Sequence, residues 1–454
     1  MTSGRASHRI PAWGLAVVLL VLGALPPVLR YLVFWPQDQW QVDVEVYRQA
    51  ALSLLADTDI YATLTEPPQL LPFTYPPFAA ILSVPLGLVP FEVAGWLWTL
   101  AQVVATFLTV WLAAYRLLPW DAPEAVGTWR AATWRPVVIA ALTVPMLWLH
   151  PVADGIRFGQ VNAFLVLACL ADLRRPRPAI LRAIPPGMLV GLATAVKLTP
   201  GVFIIHYVVC RRWREAATAV VTAGFVTVLT AVLLPRASWT FWTVALTDPA
   251  RLGPNVGTSN QSLRGVLLRH GPDGTAGTVL WVALVVVVGV AGFLVARELW
   301  RRGDSVGEVA AVGMLAVLLS PVAWIHHFHW VVVVVLAVLG AWPPRPRWRG
   351  YAALGIMAWF LMRLPWWGIT WLAEDRPVRL FGRFMQNADM VGAVLVLGVL
   401  WLIARDDGAG SPRGGNDGVV GGGAAAGGAA VGGGAAAAGG ADADGRPSRG
   451  GEVP

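Results

Sequence analysis

The chain's single lysine, Lys197, lies inside the apolar run GLATAVKLTPGVFIIHYVV. An ammonium group at the centre of a membrane helix costs about 3 kcal/mol or more, so it calls for a partner or a ligand. Pro200 breaks the same run where a second half-helix can begin, and the dipole at that N-terminus would join the lysine in favouring an anion. His326, His327 and His329 in SPVAWIHHFHW offer groups that donate to phosphate oxygens or exchange protons near neutrality. Neighbouring histidines diverge on a helix and the H-E-x-x-H spacing is missing, so metal ligation is not expected.

Other polar groups recur between the apolar runs: Asp43, Glu45 and Tyr47 in QVDVEVYRQA, Tyr75 in FTYPPF, and His150, Asp154, Arg157, Gln160 and Asn162 in HPVADGIRFGQVN. Asn260, Gln261 and Arg264 follow in SNQSLRG. Each has an ordinary reading too. Asp43 alone suits a solvated loop acid, FTYPPF a proline turn, and the amides of Gln160 and Asn162 suit contacts between helices as well as a site. Their gathering at successive turns on one side of the chain's helices is what points to a cavity for catalysis or binding.

The elements that must position these groups are membrane helices. Mean hydropathy of +0.62, with 56% hydrophobic and 13% charged residues over 454, exceeds what a soluble core needs. The net charge of +8 lies in short arginine-rich loops between apolar runs, a positive-inside pattern that argues against a nucleic-acid partner. Cys169 and Cys210 both sit in apolar segments and imply no disulfide framework. The apolar run at 12–34 is expected to be a retained first helix, and 36–90 a long external segment. Further spans are expected near 91–115, 136–149, 160–173, 216–235, 277–298, 306–320, 323–341, 350–364 and 388–404. A single crossing by 185–210 would place RRWR outside; splitting it at Thr199-Pro200 returns both basic ends to the cytoplasm and lifts Lys197 to the top of a hairpin. The expectation is an all-α polytopic bundle of about twelve transmembrane helices. The Gly/Ala-rich tail 405–454 is expected to be a disordered cytoplasmic extension beyond a membrane domain at 1–404.

DVEVYRQA with DIYA, then FTYPPFAAILSVPLGLVP, GQVNAFLVLACLADLRR, GLATAVKLTPGVFIIHYVVCRRWR, SNQSLRG and SPVAWIHHFHW together resemble, in that order, the signature segments of glycosyltransferase family 87. The resemblance runs from about residue 15 to 340. It implies a GT-C membrane fold and an actinobacterial polyprenol-phosphate-mannose-dependent α-(1,2)-mannosyltransferase, multi-pass in the plasma membrane with its active site on the extracytoplasmic side. The partners implied are a lipid-phosphate sugar donor and a glycolipid or glycan acceptor, with no cofactor or metal.

An inverting transfer of this kind needs a carboxylate base for the attacking hydroxyl and cationic groups for the departing phosphate. Asp43 matches the family's first-loop aspartate and is expected to be the base. Lys197, with His326, His327 or Arg264, is expected at the phosphate. Glu45, Tyr47, Tyr75, Gln160, Asn162, Asn260 and Gln261 are expected to line the sugar or acceptor pocket. Glu45 competes with Asp43: on an extended segment both would face one cavity, on a helix they would part. Ala323 and Ile325 stand where such proteins often carry polar residues, and His329 has no role in this scheme. A secondary transporter or flippase is the alternative reading, but transporters bind near the midplane between repeated halves, and no such repeat is visible here. A non-catalytic scaffold would have no use for Asp43.

Overall fold

Ser305–Leu318, apolar on nearly every face, forms a helix buried at all of its positions. Around it pack Gly274–Arg301, Val331–Leu339, Ala388–Arg405, Asn162–Leu173 and Val202–Val209. The structure is a computed structural model that describes residues 9–34, 40–117, 128–341 and 346–406, and its regular elements are all helices. The tail expected to be disordered lies outside the described residues from 407 onward.

The outer helices turn their apolar side chains outward. Phe225 is 67% exposed, Val232 73% and Val287 64%, a surface suited to lipid rather than water. Among the described residues four helices are long and apolar enough to cross a membrane: Phe91–Ala113, Trp213–Leu233, Gly274–Arg301 and Ala388–Arg405. Two bent pairs, Trp134–Trp148 with His150–Phe158 at 80° and Trp348–Leu361 with Leu364–Trp371 at 56°, raise the number to six. This is the architecture of a polytopic membrane protein, although full-length spans among the described residues do not reach the expected dozen. The remaining apolar helices, Asn162–Leu173 and Ser305–Leu318 among them, have 10–17 residues. Prolines open new helical pieces at the breaks: Pro151 and Pro365 in the first turn of the second piece of each bent pair, and Pro200 in the turn that leads into Val202–Val209.

The stretch 185–210 divides where expected. Met188–Val196 stops at Lys197, whose extended backbone (φ −150°, ψ 132°) cannot continue a helix; a 3-10 turn, Thr199–Gly201, then leads into Val202–Val209. Both feet of this hairpin stand in one ionic layer. At the first, Asp172 accepts from the backbone N–H groups of Gly187 at 2.6 Å and Val190 at 2.8 Å. At the second, Arg212 donates to Glu308 at 2.7 Å and to Glu215 at 3.2 Å, while His206 Nε2 lies 2.8 Å from Glu308. Arg175 joins the feet through Glu215 at 3.3 Å. Met188–Val196 also packs closely along Trp213–Leu233: a Cβ on Gly191 would lie 2.5 Å from the Ala219 carbonyl oxygen, so only glycine permits that approach.

The segment expected as a long external loop is folded from residue 40 onward. Val42–Leu55 and Pro77–Gly87 pack on each other over a separate apolar cluster that includes Tyr47, Ile60, Tyr61, Phe73 and Tyr75. FTYPPF forms the turn that leads into the second of these helices, with Pro77 at its start.

Asp172 is fully buried, so Asp172→Ala strands two backbone donors and should cost about 2 kcal/mol or more. Asp172→Asn keeps one acceptor oxygen and should lose less. Thermal scans of the solubilised protein check this, and equal midpoints for all three forms would show that the hairpin foot is not held this way.

Candidate active site

Asp43 sits in the first turn of Val42–Leu55, where a carboxylate also complements the helix dipole. Its position is set by the residue at the helix's entrance. Gln41 takes a left-handed backbone (φ 53°) and donates from Nε2 to Thr99 Oγ1 at 2.7 Å, while its backbone N–H donates to the Arg157 carbonyl at 3.1 Å. This ties the helix to both Phe91–Ala113 and His150–Phe158. Gly159 (φ +72°) lets the next turn pass close: a Cβ there would lie 2.3 Å from Gln41 Oε1. Gln102 clamps that turn from the side, donating to the carbonyls of Gly155 at 3.0 Å and Gln160 at 2.6 Å.

Because 42–55 is helical, Glu45 diverges from Asp43. Its carboxylate accepts from the Glu66 backbone N–H at 3.0 Å and steadies the 59–72 loop, so of the two acids only Asp43 faces the other candidate groups. Gln160 donates to the Asp43 carboxylate, and Gln160 Oε1 accepts from the Tyr75 hydroxyl at 3.4 Å. Tyr75 in turn lies 3.1 Å from the Tyr47 hydroxyl. Burial raises the Asp43 carboxyl to about 7; the Gln160 hydrogen bond and the Lys197 charge oppose the rise, and Asp154 adds to it.

Lys197 meets this group from the hairpin tip. Its Nζ donates to Asn162 Oδ1 at 3.2 Å, stands 5.3 Å over the Tyr75 ring and lies 3.1 Å from His327 Nε2. Asn162 also donates to the His326 carbonyl at 3.1 Å, joining the lysine to the histidine turn. The Trp324 backbone N–H donates to His327 Nδ1 at 3.2 Å, which assigns the proton of a neutral imidazole to Nε2. Ammonium and imidazole are then adjacent donors that cannot bond each other, and an oxygen anion accepting from both would satisfy the pair. Beneath them Asn162, Thr199, Pro200, His327 and Trp330 close around a pocket of about 10 Å³, room for one water-sized group.

Exposure divides the cluster by role. Asp43, Lys197 and His327 are half-buried, whereas Tyr47, Tyr75, Gln160, Asn162 and His326 are buried around them. The groups able to act on a ligand are the reachable ones, and their supports are closed in.

Three expected members are placed elsewhere. Asn260 and Gln261, expected in a substrate pocket, have no exposed surface and are committed to backbone. Asn260 Oδ1 accepts from Ser262 and Ala323 N–H groups, and Gln261 bridges the Thr258 and Gln386 carbonyls to the Asp389 and Met390 N–H groups. Asn260 fastens the SNQSLRG turn to the segment that carries the histidines, and Gln261 fastens it to the 386–390 junction. Arg264, expected at a phosphate, lies over the Trp281 ring at 5.1 Å. His329, without an assignment from sequence, is buried with its Nε2 3.4 Å from Thr106 Oγ1. Gln41 and Gln102 escaped the sequence reading although both position the site; their one signal was an amide next to, or inside, an apolar run. Among the described residues no group of three His, Cys, Asp or Glu side chains is gathered for a metal ion.

The family model described as glycosyltransferase family 87 matches residues 73–321, an interval that contains Tyr75, Gln160, Asn162 and Lys197 and begins beyond Asp43. A polyprenol-phosphate-mannose-dependent alpha-(1-2)-phosphatidylinositol pentamannoside mannosyltransferase of Mycolicibacterium smegmatis is 32% identical over 410 residues, covering 87% of this chain and 93% of its own. The protein of the same description from Mycobacterium tuberculosis is 30% identical over 400 residues, 86% of this chain and 88% of its own. A phosphatidylinositol mannoside mannosyltransferase of Mycobacterium tuberculosis is 30% identical over 385 residues, 83% and 88% respectively. No solved structure matches the chain with significance. With a family match across more than half its length and relatives aligned over most of it, this chain belongs to glycosyltransferase family 87 and is a glycosyltransferase.

Proposed function

We propose that this enzyme transfers a mannosyl residue, with inversion, from a polyprenyl-phosphate-mannose donor to a glycolipid acceptor of the phosphatidylinositol mannoside class. We place the reaction on the extracytoplasmic side of the plasma membrane, in a GT-C-type bundle of about twelve membrane helices. The observation that carries the reading is the half-open triad: a carboxylate, Asp43, facing two adjacent donors, Lys197 Nζ and His327 Nε2, 3.1 Å apart. The relatives' descriptions, which name both donor and acceptor, support the choice of substrates.

In this scheme the acceptor hydroxyl attacks the anomeric carbon from the face opposite the phosphate, and Asp43 takes the hydroxyl proton as the new C–O bond forms. The bond from the anomeric carbon to the phosphate oxygen breaks, and its electron pair leaves with the polyprenyl phosphate. Lys197 and His327 stabilise the extra charge on that oxygen, with no metal ion required. Tyr75 and Asn162 hold Lys197 in place, and Gln160 keeps the carboxylate of Asp43 turned to the hydroxyl.

Asp43→Asn removes the proton acceptor while conserving size, so transfer from a radiolabelled polyprenyl-phosphate-mannose donor should fall about a hundredfold or more. Activity near that of the wild type would eliminate Asp43 as the base. A protonated Asp43 cannot accept the hydroxyl proton, so kcat/KM should decline as pH drops through about 7, where burial places this carboxyl. Lys197 holds that value down, and its removal in Lys197→Gln should move the acidic limb of the profile to higher pH while raising the apparent KM for the lipid donor. Unchanged donor KM together with an unmoved limb would separate Lys197 from both the phosphate and the base.

A further inference from the structure

The opposite end of the bundle from Asp43 and Lys197 carries a groove of about 680 Å³ at the second foot of the hairpin. Arg211, Arg212, Arg297 and Arg301 line it together with Trp300 and Cys210. Arginines at helix ends on one side of a membrane protein are ordinary topology signals, each solvated on its own. Two features distinguish this set. The Arg212 side chain is only 6% exposed; its Nε and Nη1 serve Glu215 and Glu308, and its Nη2 has no hydrogen-bond partner among the described residues. Arg211 is exposed and, like Arg297, has no acidic partner among the described residues, while its backbone holds the left-handed conformation (φ 57°) that glycine or asparagine adopts at less cost. Arg301 is only partly neutralised, by Glu298 at 3.4 Å.

The helix that carries two of these arginines also indicates what kind of molecule fits. Along Gly274–Arg301, Val287, Val290 and Leu294 are 64%, 57% and 56% exposed, and Arg297 and Arg301 continue the same spacing of three and four residues. One face therefore runs from apolar to cationic toward the groove. Free phosphate would use only the cationic end; a phospholipid uses both, its acyl chains along the valine and leucine stripe and its phosphodiester among the arginines.

We propose that this groove is a binding site for the phosphate-bearing headgroup of an anionic phospholipid, separate from the Asp43 and Lys197 site and filled from the opposite leaflet. The test uses the full chain in nanodiscs of phosphatidylcholine alone, of phosphatidylcholine with phosphatidylglycerol, and of phosphatidylcholine with inorganic phosphate in the buffer. Thermal midpoints and the phospholipid retained in native mass spectra are the readouts. Phosphatidylglycerol should raise the midpoint and be retained, inorganic phosphate should do little, and the double variant Arg211→Gln, Arg297→Gln should lower the apparent affinity for phosphatidylglycerol about tenfold or more by removing two charged donors. Arg212 and its acidic partners stay in place in that variant, so its midpoint in phosphatidylcholine alone should match the wild type. Equal preference for phosphatidylglycerol in wild type and double variant, or an equal effect from inorganic phosphate, overturns the assignment. Should the variant fail to fold, a phosphatidylglycerol with a diazirine on its acyl chain asks the same of the unaltered protein: adducts on the Val287 to Leu294 face support the site, and adducts confined elsewhere refute it.

Discussion

A lone ammonium group inside an apolar bundle has to be solvated by the protein, and much of this structure is arranged around that requirement. Lys197 cannot sit in a regular helix pointing into hydrocarbon without a cost of about 3 kcal/mol or more. The chain meets the constraint by ending one half-helix at the lysine and starting another just beyond it, so that the side chain emerges at a hairpin tip beside Asn162, Tyr75 and His327. The tip stays in place because the feet do. Asp172 captures the N-terminus of the first half and the Glu308, Arg212 and Glu215 cluster the end of the second. Ionic layers at the base thus position a cation at the other end of the same helices.

A second consequence is a separation between half-open groups and closed-in ones. Tyr47, Tyr75, Gln160, Asn162 and His326 are closed in, and their hydroxyls, amides and carbonyl oxygens are largely engaged with one another or with Lys197 and Asp43. Such satisfied networks are rigid, since each broken bond would leave a buried polar atom without a partner. Asp43, Lys197 and His327 project from that frame and remain half-open. A carboxylate poised near neutrality opposite a pair of adjacent donors is the arrangement that the proposed displacement at a glycosyl phosphate calls for.

The two ends of the bundle also use arginine and lysine differently. At the site end the single lysine is a compact charge on a flexible stem, which suits the phosphate role proposed for it. At the far end arginines make fixed, branched contacts, among them Arg212 with Glu308 and Glu215, and leave a cationic groove against lipid-facing helix. The proposed lipid site and the ionic layer share Arg212, so a headgroup bound there would brace the same hairpin foot that supports Lys197 from below.

Residue types and their order along the chain determined the membrane setting, the broken hairpin at Pro200 and the family, and they singled out Asp43, Gln160, Asn162, Lys197 and His327 as candidates for one site. Those inferences rest on hydropathy, proline chemistry and motif order, which are local properties of the chain. Tertiary structure decided the rest. Whether Asp43 and Glu45 share a cavity depends on 42–55 being a helix, and that follows from its packing on Pro77–Gly87 and the anchoring of Gln41, contacts distant in sequence. Asn260 and Gln261 have the chemistry of substrate ligands and became backbone fasteners because Ala323, Gln386 and Asp389 fold against them. An amide's role is set by which partner reaches it first, and partners are assigned by the fold rather than by spacing along the chain.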